Sequence, residues 1–343
     1  MDYRTLGSSG CAVSSLCLGT MTFGNETDEA GSHEQLDTFV AAGGNFVDTA
    51  NVYTRGVSEE IIGRWYADRP AEVTERVVLA TKGRFPIGTE EPNRVGGSRR
   101  HLRRALEGSL RRLGTDHVDL YQLHAWDPHT PLEETLTTLD SFVRSGQVGY
   151  YGLSNVTGWQ LTKAVHLARA LGLSAPVTLQ PQYSLVVREV EWEVVPAALD
   201  ASMGLLPWSP LGGGWLTGKY ARDQRPSGTT RLGEDPGRGM EAWERRGTDR
   251  TWAIVEAVQA VAEARGVSMA QVALSWVTDR PGVTSTILGA RTLEQLADDL
   301  GAVDVRLDAE ETASLDAASD LHATDYPYGA LGLDQRSRDL AGG

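Results

Sequence analysis

Short apolar runs alternate along this chain with longer stretches in which apolar residues recur at the period of a helix. The runs are rich in β-branched and aliphatic residues, which is typical of strands buried on both faces. Before them, a glycine- and serine-rich turn at 7–10 predicts a small N-terminal hairpin. The eight predicted strands are 13–19, 45–49, 77–82, 118–124, 149–155, 177–182, 205–209 and 285–289.

The stretches between the strands predict amphipathic helices. In 98–114 four leucines form one apolar stripe: Leu102, Leu106, Leu110 and Leu113. Arginines cover most of the remaining helix surface. The segment 131–145 repeats the same design. Eight strand–helix units place the chain in the α/β class and favour a (β/α)8 TIM barrel, organised as a single domain over 1–343.

A doubly wound sheet is the competing architecture. It normally carries a Gly-x-Gly-x-x-Gly turn after its first strand, whereas here that strand leads into the sequence GTMTFG at 19–24. We therefore favour the barrel. Two segments fall outside the repeat: a loop after strand seven at 220–247, and a tail at 320–343. Their low apolar content predicts lids over the barrel mouth.

Polar residues close three neighbouring predicted strands. Asp48, Lys82 and His124 end strands two, three and four, and Tyr53 follows five residues after Asp48. The carboxyl ends of the strands carry the active site of a TIM barrel, so these side chains are expected to meet at one rim. An ammonium about 4 Å from a phenol favours the phenolate by roughly 4 kcal/mol at an effective dielectric of 20. This arrangement predicts carbonyl reduction with Tyr53 as proton donor.

The later strand ends supply candidate contacts for a nicotinamide cofactor, which is required because no side chain donates hydride. Ser154, Asn155 and Gln180 suit its carboxamide, and Trp208 offers a flat face for stacking. The glycine-rich turn at 209–214 suits a pyrophosphate, and Arg291 at the start of a helix suits a further phosphate.

Composition narrows the class of protein and of partner. The 343 residues carry a formal net charge of −14, which disfavours nucleic acid. No apolar run reaches the roughly 18 residues of a membrane helix, and the first residues do not have the pattern of a signal peptide. The two cysteines are expected to be reduced, and no histidine pair has the spacing of a metal site. We expect a cytoplasmic protein that binds a small-molecule carbonyl substrate, with no metal and no membrane partner.

Several motifs together resemble the aldo-keto reductases, in particular the bacterial members related to potassium-channel β subunits. These motifs follow the family order: NFVDTANVY at 45–53, ATK at 80–82, QLH at 122–124, GLSN at 152–155, WSPLG at 208–212 and ILGAR at 287–291. The resemblance implies a (β/α)8 barrel, NADPH (with NADH as the alternative), and a catalytic tetrad of Asp48, Tyr53, Lys82 and His124.

The resemblance also implies a set of cofactor contacts, in which Trp208 stands where most relatives have tyrosine and Asp299 where they have asparagine. The full set is Gly19, Thr20, Ser154, Asn155, Gln180, Trp208, Ser209, Pro210, Leu211, Gly212, Leu216, Gly218, Lys219, Gly289, Arg291, Gln295 and Asp299. An aromatic-rich substrate pocket is expected from Met21, Phe23, Trp126, Trp159 and Trp215.

Three functions remain open from the sequence. The first is NADPH-dependent reduction of aldehydes or ketones. The second is a redox-sensing, NADPH-binding regulatory module with weak catalysis. The third is narrow specificity for a keto sugar or another biosynthetic ketone. The sequence does not indicate an oligomeric state.

Overall fold

Eight parallel strands form one curled sheet in the computed structural model, which describes residues 1–88, 91–228, 230–235, 237 and 239–336. Consecutive strands pair with one another, and the last pairs with the first. Backbone hydrogen bonds between the strand at 204–205 and the segment before the last strand close the ring, for example Leu205 N–H to Gly282 O at 2.8 Å. The strands are β3 (Leu16–Gly19), β4 (Phe46–Asp48), β5 (Val78–Gly83), β6 (Val118–Leu123), β7 (Val148–Ser154), β8 (Thr178–Gln180), β9 (Gly204–Leu205) and β10 (Thr286–Leu288).

Helices follow the strands on the outside of the sheet, which gives the predicted (β/α)8 barrel. The principal helices are α1 (Glu29–Ala41), α2 (Val57–Asp68), α4 (Arg99–Leu113), α5 (Leu132–Arg144), α6 (Gly158–Ala170), α7 (Val190–Asp200), α10 (Asp249–Arg265), α11 (Met269–Thr278), α12 (Leu293–Leu300) and α13 (Ala309–Ala318). Short helices complete the set: α3 (Ala71–Thr74), α8 (Arg231–Glu234), α9 (Trp243–Arg246) and α14 (Ala330–Asp334). Within the described ranges, no helix is long and apolar enough to cross a membrane.

The N-terminal hairpin corrects one strand boundary. β1 (Tyr3–Thr5) pairs antiparallel with β2 (Ala12–Ser14), so the predicted strand 13–19 is in fact two strands. The Ser14 hydroxyl donates to the carbonyl oxygen of Leu16 at 2.6 Å at the point where the chain passes from hairpin to barrel. The other seven predicted strands are found, some of them several residues shorter.

Successive side chains of each strand point to opposite faces of the sheet, which divides the core into two parts. One buried cluster, which includes Cys17, Phe46, Ala80 and Leu120, fills the barrel interior. The other lies between the sheet and the helices and includes the predicted leucine stripe of α4. Lys82 is two residues after Ala80 in β5, so its side chain also points into the barrel.

The contact between Gly83 and Tyr121 allows a stability prediction. The Tyr121 hydroxyl is buried without a hydrogen-bond partner in the described part of the chain, and it lies where a Cβ on Gly83 would be. We expect Tyr121→Phe to be neutral or to raise the free energy of unfolding by up to about 1 kcal/mol, because no hydrogen bond is lost. Gly83→Ala should lower it by about 1 to 3 kcal/mol, and adding Tyr121→Phe should recover part of that loss. Urea denaturation measures both effects, and a Tyr121→Phe loss above about 1 kcal/mol would contradict this packing.

Candidate active site

The tetrad predicted from the sequence meets at the carboxyl ends of β4, β5 and β6. Asp48 ends β4, Lys82 lies near the end of β5, His124 follows β6, and Tyr53 begins a 3-10 turn after β4. The rings of Tyr53 and His124 meet edge to face, with centroids 6.0 Å apart. Lys82 Nζ is 4.9 Å from the centroid of the Tyr53 ring. The phenol, the ammonium and the imidazole therefore share one end of the barrel.

Asp48 is the hydrogen-bonding centre of this group. Its Oδ2 accepts from Lys82 Nζ, and its Oδ1 accepts from Gln122 Nε2 at 3.1 Å and Gln180 Nε2 at 3.0 Å. Lys82 also donates to the carbonyl oxygen of Thr49 at 2.8 Å. Both charged side chains are buried, so this network compensates their desolvation.

Gln122 was not predicted as a site residue. It is fully buried and lies two residues before His124, so it points to the same face of β6. That alternation and the QLH motif at 122–124 are the sequence signals for an amide that points into the barrel here. By donating to Asp48, Gln122 positions the carboxylate that holds Lys82.

Burial, not the neighbouring ammonium, controls the acidity of Tyr53. Removal of the phenol from solvent raises its pKa, while the charge of Lys82 and its hydrogen bond lower it by a smaller amount. The pKa of Tyr53 is therefore raised above its ordinary value, and the expectation of an acidified phenol is wrong. Burial lowers the pKa of Lys82, but Asp48 and Tyr53 more than offset it, so the ammonium stays charged.

His124 is neutral at physiological pH. Burial lowers its pKa well below the ordinary value, and the positive charges of Lys82 and Arg84 add to this effect. Its Nδ1 has no hydrogen-bond partner within the described residues. The ring of Phe85 packs edge to face on the imidazole, with centroids 4.8 Å apart. A neutral imidazole held in this way can donate one hydrogen bond to a carbonyl oxygen without carrying charge.

A single cavity of about 570 Å³ extends from the tetrad to the start of α12. This volume is in the range of small-molecule and cofactor sites. At one end it is lined by Asp48, Tyr53 and His124, and at the other by Arg291, Gln295 and Asp299. Between them lie the remaining predicted cofactor residues that reach it: Gly19, Thr20, Asn155, Gln180, Trp208, Ser209, Pro210, Leu211, Lys219 and Gly289.

Asn155 and Trp208 fix one another beside the catalytic end. Asn155 has a left-handed backbone, with φ of 53°, and its Nδ2 donates to the carbonyl oxygen of His124 at 3.0 Å. Trp208 Nε1 donates to Asn155 Oδ1 at 3.0 Å. The hydroxyl of Ser154 donates to the backbone of Gln180 at 2.9 Å and accepts from Asn155. These bonds hold an amide and an indole ring at the cavity wall.

Glycine conformations shape the other half of the cavity. Gly212, Gly213 and Gly214 all have positive φ, between 59° and 98°, so the turn after Ser209 needs glycine and presents backbone rather than side chains of its own. Lys219 lies against Gly214. Burial, followed by the charge of Asp298, raises the pKa of Asp299 to about 7. A protonated Asp299 donates a hydrogen bond, as the amide of asparagine would.

Several predicted residues do not reach the cavity. Ser154 and Leu216 are fully buried, and Gly212 and Gly218 shape the turn without lining the space. Phe23 and Trp215, expected in a substrate pocket, are also buried in the core, so that expectation is wrong for both. Met21 does line the cavity. Trp126 and Trp159 contact each other, with ring centroids 5.6 Å apart, outside its lining.

The two predicted lids differ in their relation to the cavity. The loop 220–247 contributes Leu232, Gly239, Met240 and Glu241 to its wall. The tail packs on α7, where Tyr328 stacks on Trp192 with ring centroids 5.0 Å apart, and its described part contributes nothing to the wall. The positions 229, 236, 238 and 337–343 of these lids lie outside the described residues.

The residues present fit a dinucleotide. The cavity joins the tetrad end to a glycine turn and an arginine at a helix start, with an amide and an indole between them. Asn155, Gln180 and Trp208 would hold a nicotinamide ring, and the turn after Ser209, with Lys219 and Arg291, would hold the phosphates.

Comparison with known proteins identifies the family of this chain. The aldo/keto reductase family model matches residues 15–320. The chain belongs to the aldo/keto reductase family of oxidoreductases, which confirms the resemblance seen in its motifs.

Relatives extend over almost the whole chain. An uncharacterized oxidoreductase, YrpG, of Bacillus subtilis (strain 168) is 41% identical over 90% of this chain and 93% of its own length. A rice protein (Oryza sativa subsp. japonica) named "Probable voltage-gated potassium channel subunit beta" is 37% identical over 89% of this chain and 92% of its own length. A norsolorinic acid reductase of Aspergillus flavus is 34% identical over 92% of this chain and 80% of its own length. The names of these relatives thus refer to different roles.

Proposed function

We propose that this protein reduces an aldehyde or ketone to the alcohol, with NADPH as hydride source and Tyr53 as proton donor. The observation that carries the proposal is the meeting of Tyr53 and His124 in one cavity that also reaches Arg291, with the buried Lys82 ammonium against the Tyr53 ring. A phenol, a buried ammonium and a neutral imidazole around one point suit protonation of a carbonyl oxygen.

Each side chain has a distinct role in this proposal. Tyr53 donates the proton to the carbonyl oxygen, and His124 donates a second hydrogen bond that orients it. Lys82 stabilises the phenolate left on Tyr53, and Asp48 keeps Lys82 charged and in place. NADPH, when bound, supplies hydride to the carbonyl carbon.

NADPH is preferred over NADH in this proposal because Arg291 lies at the far end of the cavity, where a 2′-phosphate would be bound. Gln295 offers less, because its amide carries no positive charge; its Oε1 accepts from the Arg291 backbone N–H at 2.9 Å. The family tends to use NADPH, which supports the same choice.

A panel of aldehydes and ketones tests the proposal. NADPH oxidation is followed by absorbance, with NADH in parallel and each carbonyl omitted in turn. We expect carbonyl-dependent oxidation of NADPH and slower oxidation of NADH. Tight NADPH binding without turnover on any carbonyl would contradict the enzymatic proposal.

A redox-sensing regulatory module is the second candidate, favoured by the similarity to the rice protein named as a channel subunit. It predicts bound NADPH, turnover too slow to matter, and a protein that copurifies. A reductase of one biosynthetic ketone is favoured by the similarity to norsolorinic acid reductase. It predicts turnover confined to one or two members of the panel.

The pH dependence follows from the two perturbed groups. Reduction needs the protonated phenol, which is present below the pKa of Tyr53 and lost above it, and that pKa is raised. His124 stays neutral because its pKa is lowered. At saturating NADPH we therefore expect kcat to be level from about pH 6 to 9, falling only above the ordinary tyrosine value of about 10. A decline with a midpoint near neutral pH would show instead that Lys82 has acidified the phenol.

A further inference from the structure

Two carboxylates of the loop 220–247, called here the lid, meet the phosphate end of the cavity: Glu241 lines it, and Glu234 bonds to Arg291, which lines it. Glu234 ends α8, and Glu241 ends the 3-10 turn Gly239–Glu241. The lid is acidic at the points where it meets groups assigned above to cofactor phosphates.

Glu234 is paired with Arg291. Both of its carboxylate oxygens accept from Arg291, at 2.8 and 3.1 Å from the same terminal nitrogen. A second acid, Glu26, lies 3.6 Å from Arg291 Nε and comes from the barrel body rather than the lid. The lid carboxylate thus holds the guanidinium in the way a phosphate would, through charge-assisted hydrogen bonds.

Glu241 covers the glycine turn. Its Oε1 accepts from the Ser209 hydroxyl at 3.1 Å and from Gln182 Nε2 at 2.6 Å. Its side chain rests directly on Gly213, where a Cβ would lie 2.7 Å from its Cγ. A pyrophosphate approaching the turn would meet this carboxylate first.

We infer that Glu234 and Glu241 are internal competitors of the cofactor phosphates. Glu234 must release Arg291 before a 2′-phosphate binds there, and Glu241 must leave the glycine turn before a pyrophosphate binds. The inference rests on the proposed function, because it needs a dinucleotide as ligand. Each carboxylate is tethered close to its partner, so it competes at a high effective concentration. An acid and a phosphate cannot share one site without strong repulsion.

The two acids have separable effects on cofactor choice. Glu234 faces the arginine assigned to the 2′-phosphate, a group that NADPH has and NADH lacks. Glu241 faces the turn assigned to the pyrophosphate, which both cofactors have. Glu234 therefore weakens NADPH binding selectively, whereas Glu241 weakens both cofactors equally.

Calorimetric titration with NADPH and NADH tests this assignment. We expect Glu234→Gln to tighten NADPH binding about three- to fivefold and to change NADH binding less than about 1.5-fold. Glu241→Gln should tighten both by a similar factor. Asp223→Asn, an exposed acid of the same lid, is the charge-matched control and should change neither.

Hydrogen exchange without any nucleotide gives an independent readout. If the two carboxylates hold the lid, the Glu234→Gln/Glu241→Gln double variant should exchange the amides of 230–235 and 239–241 at least about threefold faster than wild type. Equal exchange would overturn the inference.

The possible failures are distinguishable. Wild-type binding of NADPH that neither variant tightens overturns this inference and leaves the proposed function intact. Failure of the wild type and of both variants to bind either dinucleotide overturns both.

Discussion

Tyr53→Phe is expected to lower kcat for carbonyl reduction by about 10²- to 10⁴-fold, the range that a positioned general acid contributes. The substitution removes one oxygen and leaves the ring that meets His124 edge to face. NADPH affinity should stay within about twofold of wild type, because the other cofactor contacts assigned to the cavity are unchanged. Steady-state kinetics and calorimetric titration measure the two quantities.

Tyr3→Phe is the matched control for this variant. It also removes one phenolic oxygen, but from an exposed residue of the hairpin that donates to the carbonyl oxygen of Gly43. We expect wild-type kcat. Loss of activity in both variants would point to a general effect of phenol removal on folding, and full activity of Tyr53→Phe would remove Tyr53 as the acid.

Lys82→Met is expected to lower the free energy of unfolding by about 3 to 5 kcal/mol as well as kcat, because it leaves the Asp48 carboxylate buried without its cation. The double variant Lys82→Met/Asp48→Asn should recover most of the stability, since it removes the unpaired charge. It should not recover kcat, because nothing then stabilises the phenolate of Tyr53.

Urea denaturation and steady-state kinetics on the same preparations separate these two effects. Lys163→Met, at an exposed lysine of α6, is the control and should change neither. If the double variant regained activity together with stability, Lys82 would act on the fold alone and the proposed role of its charge would be wrong.

The tetrad was predictable because a parallel barrel brings all its carboxyl strand ends to one rim. The sequence order of Asp48, Lys82 and His124 was therefore enough to place them together. The strands and helices were predictable for a related reason, since their apolar periods record which face is buried. The ends of the strands were harder to predict. Residues 13–19 contain parts of two strands, because β2 pairs with β1 and ends at Ser14.

The pocket residues were harder to predict, because an aromatic side chain near a strand end can equally well pack in the core or line a cavity. Phe23 and Trp215 are core residues, while Phe85 packs on His124. The sign of the pKa change at Tyr53 depends on how much protein surrounds the phenol, which no pattern records. Glu241 reaches the glycine turn only through the tertiary path of the lid.

The most direct test of the account is one turnover of enzyme preloaded with NADPH and mixed rapidly with a reactive aldehyde. Cofactor fluorescence then reports the chemical step alone, in wild type and in Tyr53→Phe. The account predicts an NADPH oxidation rate at least about 10²-fold slower in the variant, with equal amounts of cofactor bound at the start. Equal rates of oxidation in the two proteins would contradict it.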